Sequence, residues 1–191
     1  PIMDFIVDMG QQLPDISPHY SAIPKANGGS MFRIYRDARF SKDKRPYKEH
    51  GGIQFRHKLG KNAHAPGFYL HLERGNLFYG GGIWAPESDT LGKIRDRIVE
   101  KPKKWQAVIE NEDIIKHFSA VGGDGLKRPP RGYDPENKYI EDLKRKSFFA
   151  MKHSSDDKLV TTPEFLDEVV KTFEAASPLM AFICDATGVE F

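Results

Sequence analysis

Three stretches of this chain, near residues 51–57, 67–73 and 77–84, read as strands joined by gaps of only nine and three residues. A parallel crossover needs a dozen or more residues, so neither gap permits one. The three therefore pair as an antiparallel meander. In the first, Ile53 and Phe55 point one way and Gln54 and Arg56 the other. In the second, Phe68, Leu70 and Leu72 oppose Tyr69, His71 and Glu73. Arg74-Gly75-Asn76 supplies the tight turn into the third. Phe32 and Ile34, alternating with Arg33 and Tyr35, predict another strand near 31–36, and Ser147–Met151 predicts a fifth.

Helices account for most of the rest. Ile2 to Leu13 carries an apolar stripe and is expected to stop at Pro14. Further helices are expected from about Thr90, from Pro102, around Ile114–Phe118 and over 136–144. Thr161-Thr162-Pro163-Glu164 starts another, with Phe165, Val169 and Phe173 as its core stripe. Ser177-Pro178 is expected to open a separate last helix, closed by Gly188 and holding a buried, unreactive Cys184. The predicted fold class is α+β: an antiparallel sheet of about five strands, covered by helices on one face. At 191 residues, one domain over 1–191 is expected.

The densest charge lies between Phe32 and Lys48, where seven cations face two acids, Asp37 and Asp43. The whole chain carries only +2. Tyr35, Phe40 and Tyr47 interleave with these cations. One reading is an ion-pair network that only holds the loop. The other is an anion site, because arginine forks match carboxylates and phosphates. Period two sets Arg33, Tyr35, Arg56 and His71 on one polar sheet face. The expected ligand-binding set is Arg33, Tyr35, Arg36, Arg39, Lys44, Tyr47, Arg56 and Arg131. Arg131 comes from the stiff loop Lys127–Asp134, which adds three cations. His71, oriented by Glu73, is the one acid/base candidate. Arg36 shares the parity of Ile34 and is expected to turn toward the core.

Other chemistries lack a signature. The seven histidines form no HExxH or comparable cluster, so no metal is expected, and no Walker or GxSxG pattern occurs. Gly80-Gly81-Gly82 reads as a strand bulge ahead of a ligand platform. One cysteine excludes an internal disulfide and a cysteine-based zinc site, which suits a cytoplasmic setting. No apolar run approaches the roughly 18 residues of a membrane span, so no membrane partner is expected. The first residues lack the basic and apolar regions of a signal peptide, and a start on Pro reads as a processed or trimmed end.

The pattern Arg33-x-x-Arg36-Asp37-x-Arg39-Phe40-x-x-Asp43-Lys44-x-x-Tyr47 resembles the signature of a bacterial and fungal family catalogued as domain of unknown function 2461. YGGGIW at 79–84, LKRPPRGYD at 126–134 and KSFFA at 146–150 are similar to later segments of that family. The resemblance implies one compact domain and supplies neither a reaction nor a cofactor. Members of that family begin with an extra segment bearing Asn-Asn and Trp-Phe, which this sequence lacks. A site needing that segment would be incomplete here. Three functions remain in order: binding of, or catalysis on, a small phosphorylated or carboxylated ligand; a single-stranded nucleic-acid module; and a structural or protein-interaction domain.

Overall fold

The computed structural model describes residues 1–37, 39, 42, 44–60 and 66–191. Phe40 and Asp43 of the basic segment, and one of the seven histidines, His64, lie outside the described residues. Five strands form one antiparallel sheet in chain order: β1 (Tyr20–Ser21), β2 (Gly51–His57), β3 (Gly67–Leu72), β4 (Leu77–Ile83) and β5 (Phe148–Ser154). Ile53 faces Leu70 and Gln54 faces Tyr69 across β2 and β3, so apolar residues meet on one side and polar on the other. The helices are α1 (Ile2–Ile16), α2 (Ser88–Glu100), α3 (Pro102–Ile109), α4 (Glu112–Phe118), α5 (Ile140–Leu143) and α6 (Glu164–Thr187). The fold is α+β, as the alternation and short gaps predict.

The inner face of the sheet is the core. Ile53, Phe55, Phe68, Leu70, Tyr79, Phe148 and Ala150 are all fully buried there. Helix α6 lies across it, with Phe173 stacked on Phe68 at 4.6 Å and edge-on to Phe55 at 5.9 Å. Gly81 makes this approach possible: a Cβ there would stand 3.0 Å from both Met180 Sδ and the Phe68 ring. Helix α1 adds Ile6, Met9 and Leu13, and Trp105 of α3 is buried with its indole N–H donated to Asp142 Oδ2 at 2.9 Å.

The structure corrects several expectations. No strand covers 31–36. Met31 makes a single bridge to Ile53, and the Phe32 N–H donates to Gly52 O, after which the chain leaves the sheet. The reason is positional. Strand β2 begins at Gly51, and the Met31–Ile53 register carries Ile34 past that first residue, so residues from Ile34 onward have no strand partner there, and Ile34 stays 43% exposed. The short β1, which the sequence did not signal, takes the other end of that edge through Ser21 opposite Arg56.

Helix α1 runs through Pro14 to Ile16, because the proline forfeits one bond with two residues still to come. Helix α6 is likewise continuous through Pro178. An interior proline costs about 3 kcal/mol, but Phe173 and Ala176 before it and Leu179, Met180 and Ile183 after it are all buried, which offsets that loss. Of the helix expected over 136–144, only Ile140–Leu143 forms. The glycines of β4 make no bulge, since Gly80, Gly81 and Gly82 pair consecutively with Met151, Ala150 and Phe149. Cys184 is buried within α6 beside the Tyr20 hydroxyl, and burial pushes its thiol pKa up. No helix among the described residues is long and apolar enough to cross a membrane.

Candidate functional site

The outer face of the sheet is covered incompletely, and a cavity of about 630 Å³ remains on it. Its walls are aromatic: Phe32, Tyr69, Phe78, Trp84 and Phe149. Met151 and Ile83 complete the apolar lining, and Gln54 and His153 are polar members. Gly67 and Gly82, register partners on β3 and β4, line it without side chains. Phe32 belongs to the segment that leaves the sheet at Met31, and its ring folds back over β2. It and the Tyr69 hydroxyl close over Gly52, where a Cβ would come within 3.0 and 2.9 Å of them. Trp84 follows β4 and is 66% exposed, an amphipathic side chain at the rim.

A hydrogen-bonded line runs along β3 away from this cavity. Residues two apart on a strand share a face, so Tyr69, His71 and Glu73 are neighbours. The Tyr69 hydroxyl lies 3.2 Å from His71 Nδ1, and His71 Nε2 lies 3.0 Å from Glu73 Oε2. Asn76 also donates to Glu73 Oε2, at 2.7 Å. The Asn76 amide and the His71 ring hold the Glu73 carboxyl below the usual range. An ionised carboxylate only accepts, so Nε2 of His71 carries the proton, and in the neutral ring Nδ1 accepts from Tyr69. Burial pushes the Tyr69 pKa up, keeping it the donor.

His50, just before β2, stacks on His71 at 4.7 Å, while Phe78 stacks on the same imidazole at 4.5 Å. Burial, then the charges of His71 and Lys48, keeps the pKa of His50 low; Glu73 opposes them and Arg36 reinforces them. The sequence reading missed His50, because 20 residues separate it from His71 and no spacing rule joins them. Only the sheet register, which sets Gly52 opposite His71, brings the two together.

The basic segment forms an arm beside this site. Tyr35 and Tyr47 make an isolated bridge with rings 5.4 Å apart, and the N–H of Arg36 and of Lys48 donate to Pro46 O and Ile34 O. Arg33, Arg36, Asp37 and Arg39 together line a shallow depression. There Arg39 grips Asp37 with two bonds, Nε to Oδ1 at 2.9 Å and a terminal nitrogen to Oδ2 at 2.7 Å. These bonds hold the Asp37 carboxyl below its usual range.

The other expected cations lie apart from that depression. Arg56 donates to Gln54 Oε1 at 3.1 Å and sits 5.8 Å from the Phe32 ring centroid, at the edge of the cavity. Lys44 is exposed on the arm. Arg131 is exposed on a loop whose neighbour Tyr133 is tied to Asp96 of α2 at 2.7 Å. Burial and the Asp96 bond push the Tyr133 pKa up to about 12. Arg36 is half-buried, between the exposed Tyr35 and Asp37.

No curated protein and no solved structure matches the chain. Residues 1–182 match the model of the family described as "Conserved hypothetical protein (DUF2461)", and the chain belongs to that family.

Proposed function

We propose that the outer sheet face binds a small molecule whose aromatic or apolar body fills the cavity and whose carboxylate or phosphate meets the neighbouring cations. The observation that carries this reading is the cavity of about 630 Å³, apolar-walled and open beside Arg56. Pockets for small ligands are concave and mostly apolar, with a few polar groups that fix orientation. Gln54, His153 and the Tyr69 hydroxyl are suited to that orienting role. Arg33, which lines the depression with Arg36 and Arg39, follows the cavity residue Phe32 in the chain, and this nearby basic segment supports anion capture. A concave cavity supports a small molecule over a single strand, which needs an extended groove with stacking platforms.

Acid/base chemistry is a second reading, favoured by the Tyr69–His71–Glu73 line. A ligand proton would pass to or from the Tyr69 oxygen, with His71 exchanging a proton behind it and Glu73 fixing the ring.

The experiment uses the protein's own fluorescence. Trp84 is at the cavity rim, whereas Trp105, the other tryptophan, is fully buried. Titration with phenyl phosphate and benzoate should change Trp84 emission saturably, and Trp84→Phe should abolish the signal. Arg56→Ala should weaken binding several-fold. Inorganic phosphate binding as tightly as phenyl phosphate would remove the cavity from the reading. No saturable response to either aryl anion would sink it.

A further inference from the structure

We propose that His50, His71 and Glu73 form a binding site for one divalent transition-metal ion, of the Zn²⁺ class, on the outer sheet face behind the cavity residues Tyr69 and Phe78. Each offers one ligand atom, and the three atoms lie within 4.8 Å of one another. Two imidazoles and a carboxylate are a ligand set that Zn²⁺ and its first-row neighbours accept, with bonds of about 2.0–2.2 Å. Two ligand atoms on one such ion sit roughly 3.3 Å apart when the geometry is tetrahedral. His71 Nε2 and Glu73 Oε2, at 3.0 Å, are already near that separation. The proton they share would be displaced by the ion, as ligation requires a neutral imidazole with a free lone pair.

Strand pairing holds one of the three ligands and side-chain bonds hold a second. His71 belongs to β3, clamped between Gly52 of β2 and Phe78 of β4, and Glu73, just past the end of β3, is fixed by its bonds to His71 and Asn76. His50 is the adjustable member. It precedes β2, is half-buried, and must rotate out of its stack on His71 to aim its lone pair. The Tyr69 hydroxyl at His71 Nδ1 is placed to accept the ring's remaining N–H, which is the partner a ligating histidine usually has.

Three protein ligands leave at least one position open, the pattern of ions that take a water or a substrate atom. Tyr69 and Phe78, which touch His71, also line the cavity, so the ion would stand beside any bound molecule. Arg36 and Lys48 act electrostatically on His50 and oppose a bare cation. An anionic ligand group between ion and arm would relieve that opposition. The metal proposal does not depend on the ligand reading, because ion binding is measured with no small molecule present.

The test is calorimetric titration of the full chain with Zn²⁺, paralleled by Co²⁺ absorption spectra. One ion per chain is expected, with visible Co²⁺ bands of a histidine-ligated site. His50→Ala and Glu73→Gln, both outside the packed core, should each weaken Zn²⁺ by at least about tenfold. Their melting curves should stay cooperative, which separates ligand loss from unfolding. No stoichiometric binding by the unaltered chain would overturn the proposal. So would full affinity in both variants, which would place the ion elsewhere, for example at the stacked pair His19 and His57.

Discussion

The two faces of one sheet carry similar side chains and meet different fates. On the inner face, Phe55, Phe68, Leu70 and Tyr79 interlock with α6 and are fully buried. On the outer face, Tyr69, Phe78, Phe149 and Met151 are just as large, yet they surround a cavity. The difference is the cover. A 24-residue helix fills the inner face, with Gly81 letting it come close. The outer face is met by Phe32, by the start of the basic arm and by Trp84. An incomplete cover leaves apolar walls without partner atoms, which a packed core does not tolerate. Polar groups on that face are nevertheless satisfied: Gln54 bonds Arg56, and His71 bonds both Tyr69 and Glu73. The inner face is packed, and the outer face keeps an apolar-walled cavity.

Five substitutions would sharpen or break this contrast. The largest effect is expected for Phe68→Ala, which empties a ring stacked on Phe173 and should cost about 3–5 kcal/mol in denaturant unfolding. Gly81→Ala should follow at about 1–3 kcal/mol, as its methyl must displace Met180 or the Phe68 ring. Met151→Ala, on the outer face, should cost only about 1 kcal/mol, since it enlarges an existing void rather than opening a new one. A loss equal to that of Phe68→Ala would mean that both faces are load-carrying cores.

Smaller still is Lys152→Met at the edge of the inner face. Burial raises the pKa of Glu168, but the bond and charge of Lys152 and the Tyr79 hydroxyl outweigh it, so the folded-state value lies below the usual one. Such a group stabilises above its unfolded pKa, and the contribution disappears as pH falls through the lower folded value. The pair is partly exposed, so the substitution should cost under about 1 kcal/mol at neutral pH and nothing at low pH, where Glu168 is protonated in both forms. Unfolding curves at several pH values would show whether the difference closes on acidification. The smallest stability effect belongs to Arg39→Ala on the exposed arm. Its melting temperature should match that of the unaltered protein while phenyl phosphate affinity falls. A lowered melting temperature with unchanged affinity would return the arm to a purely structural role.

The sequence by itself determined the meander and its faces. Gaps of nine and three residues forbid crossovers, and a period of two assigns Ile53 and Phe55 to the core and Gln54, Tyr69 and His71 to the other side. It also placed His71 beside Glu73, because residues two apart on a strand must be neighbours. Tertiary structure decided what local pattern cannot encode. Phe32 and Ile34 alternate like a strand, but only Phe32 reaches β2, through its N–H on Gly52 O, and Ile34 lies past the first residue of β2, so the chain turns away and Phe32 becomes a cavity wall. Pro178 reads as a helix start, but burial on both sides of it keeps α6 whole. His50 meets His71 only because Gly52 pairs with His71 across two strands. Periodicity says which way a side chain points. What stands opposite depends on segments far along the chain, whose placement is set by the free energy of the whole packed molecule.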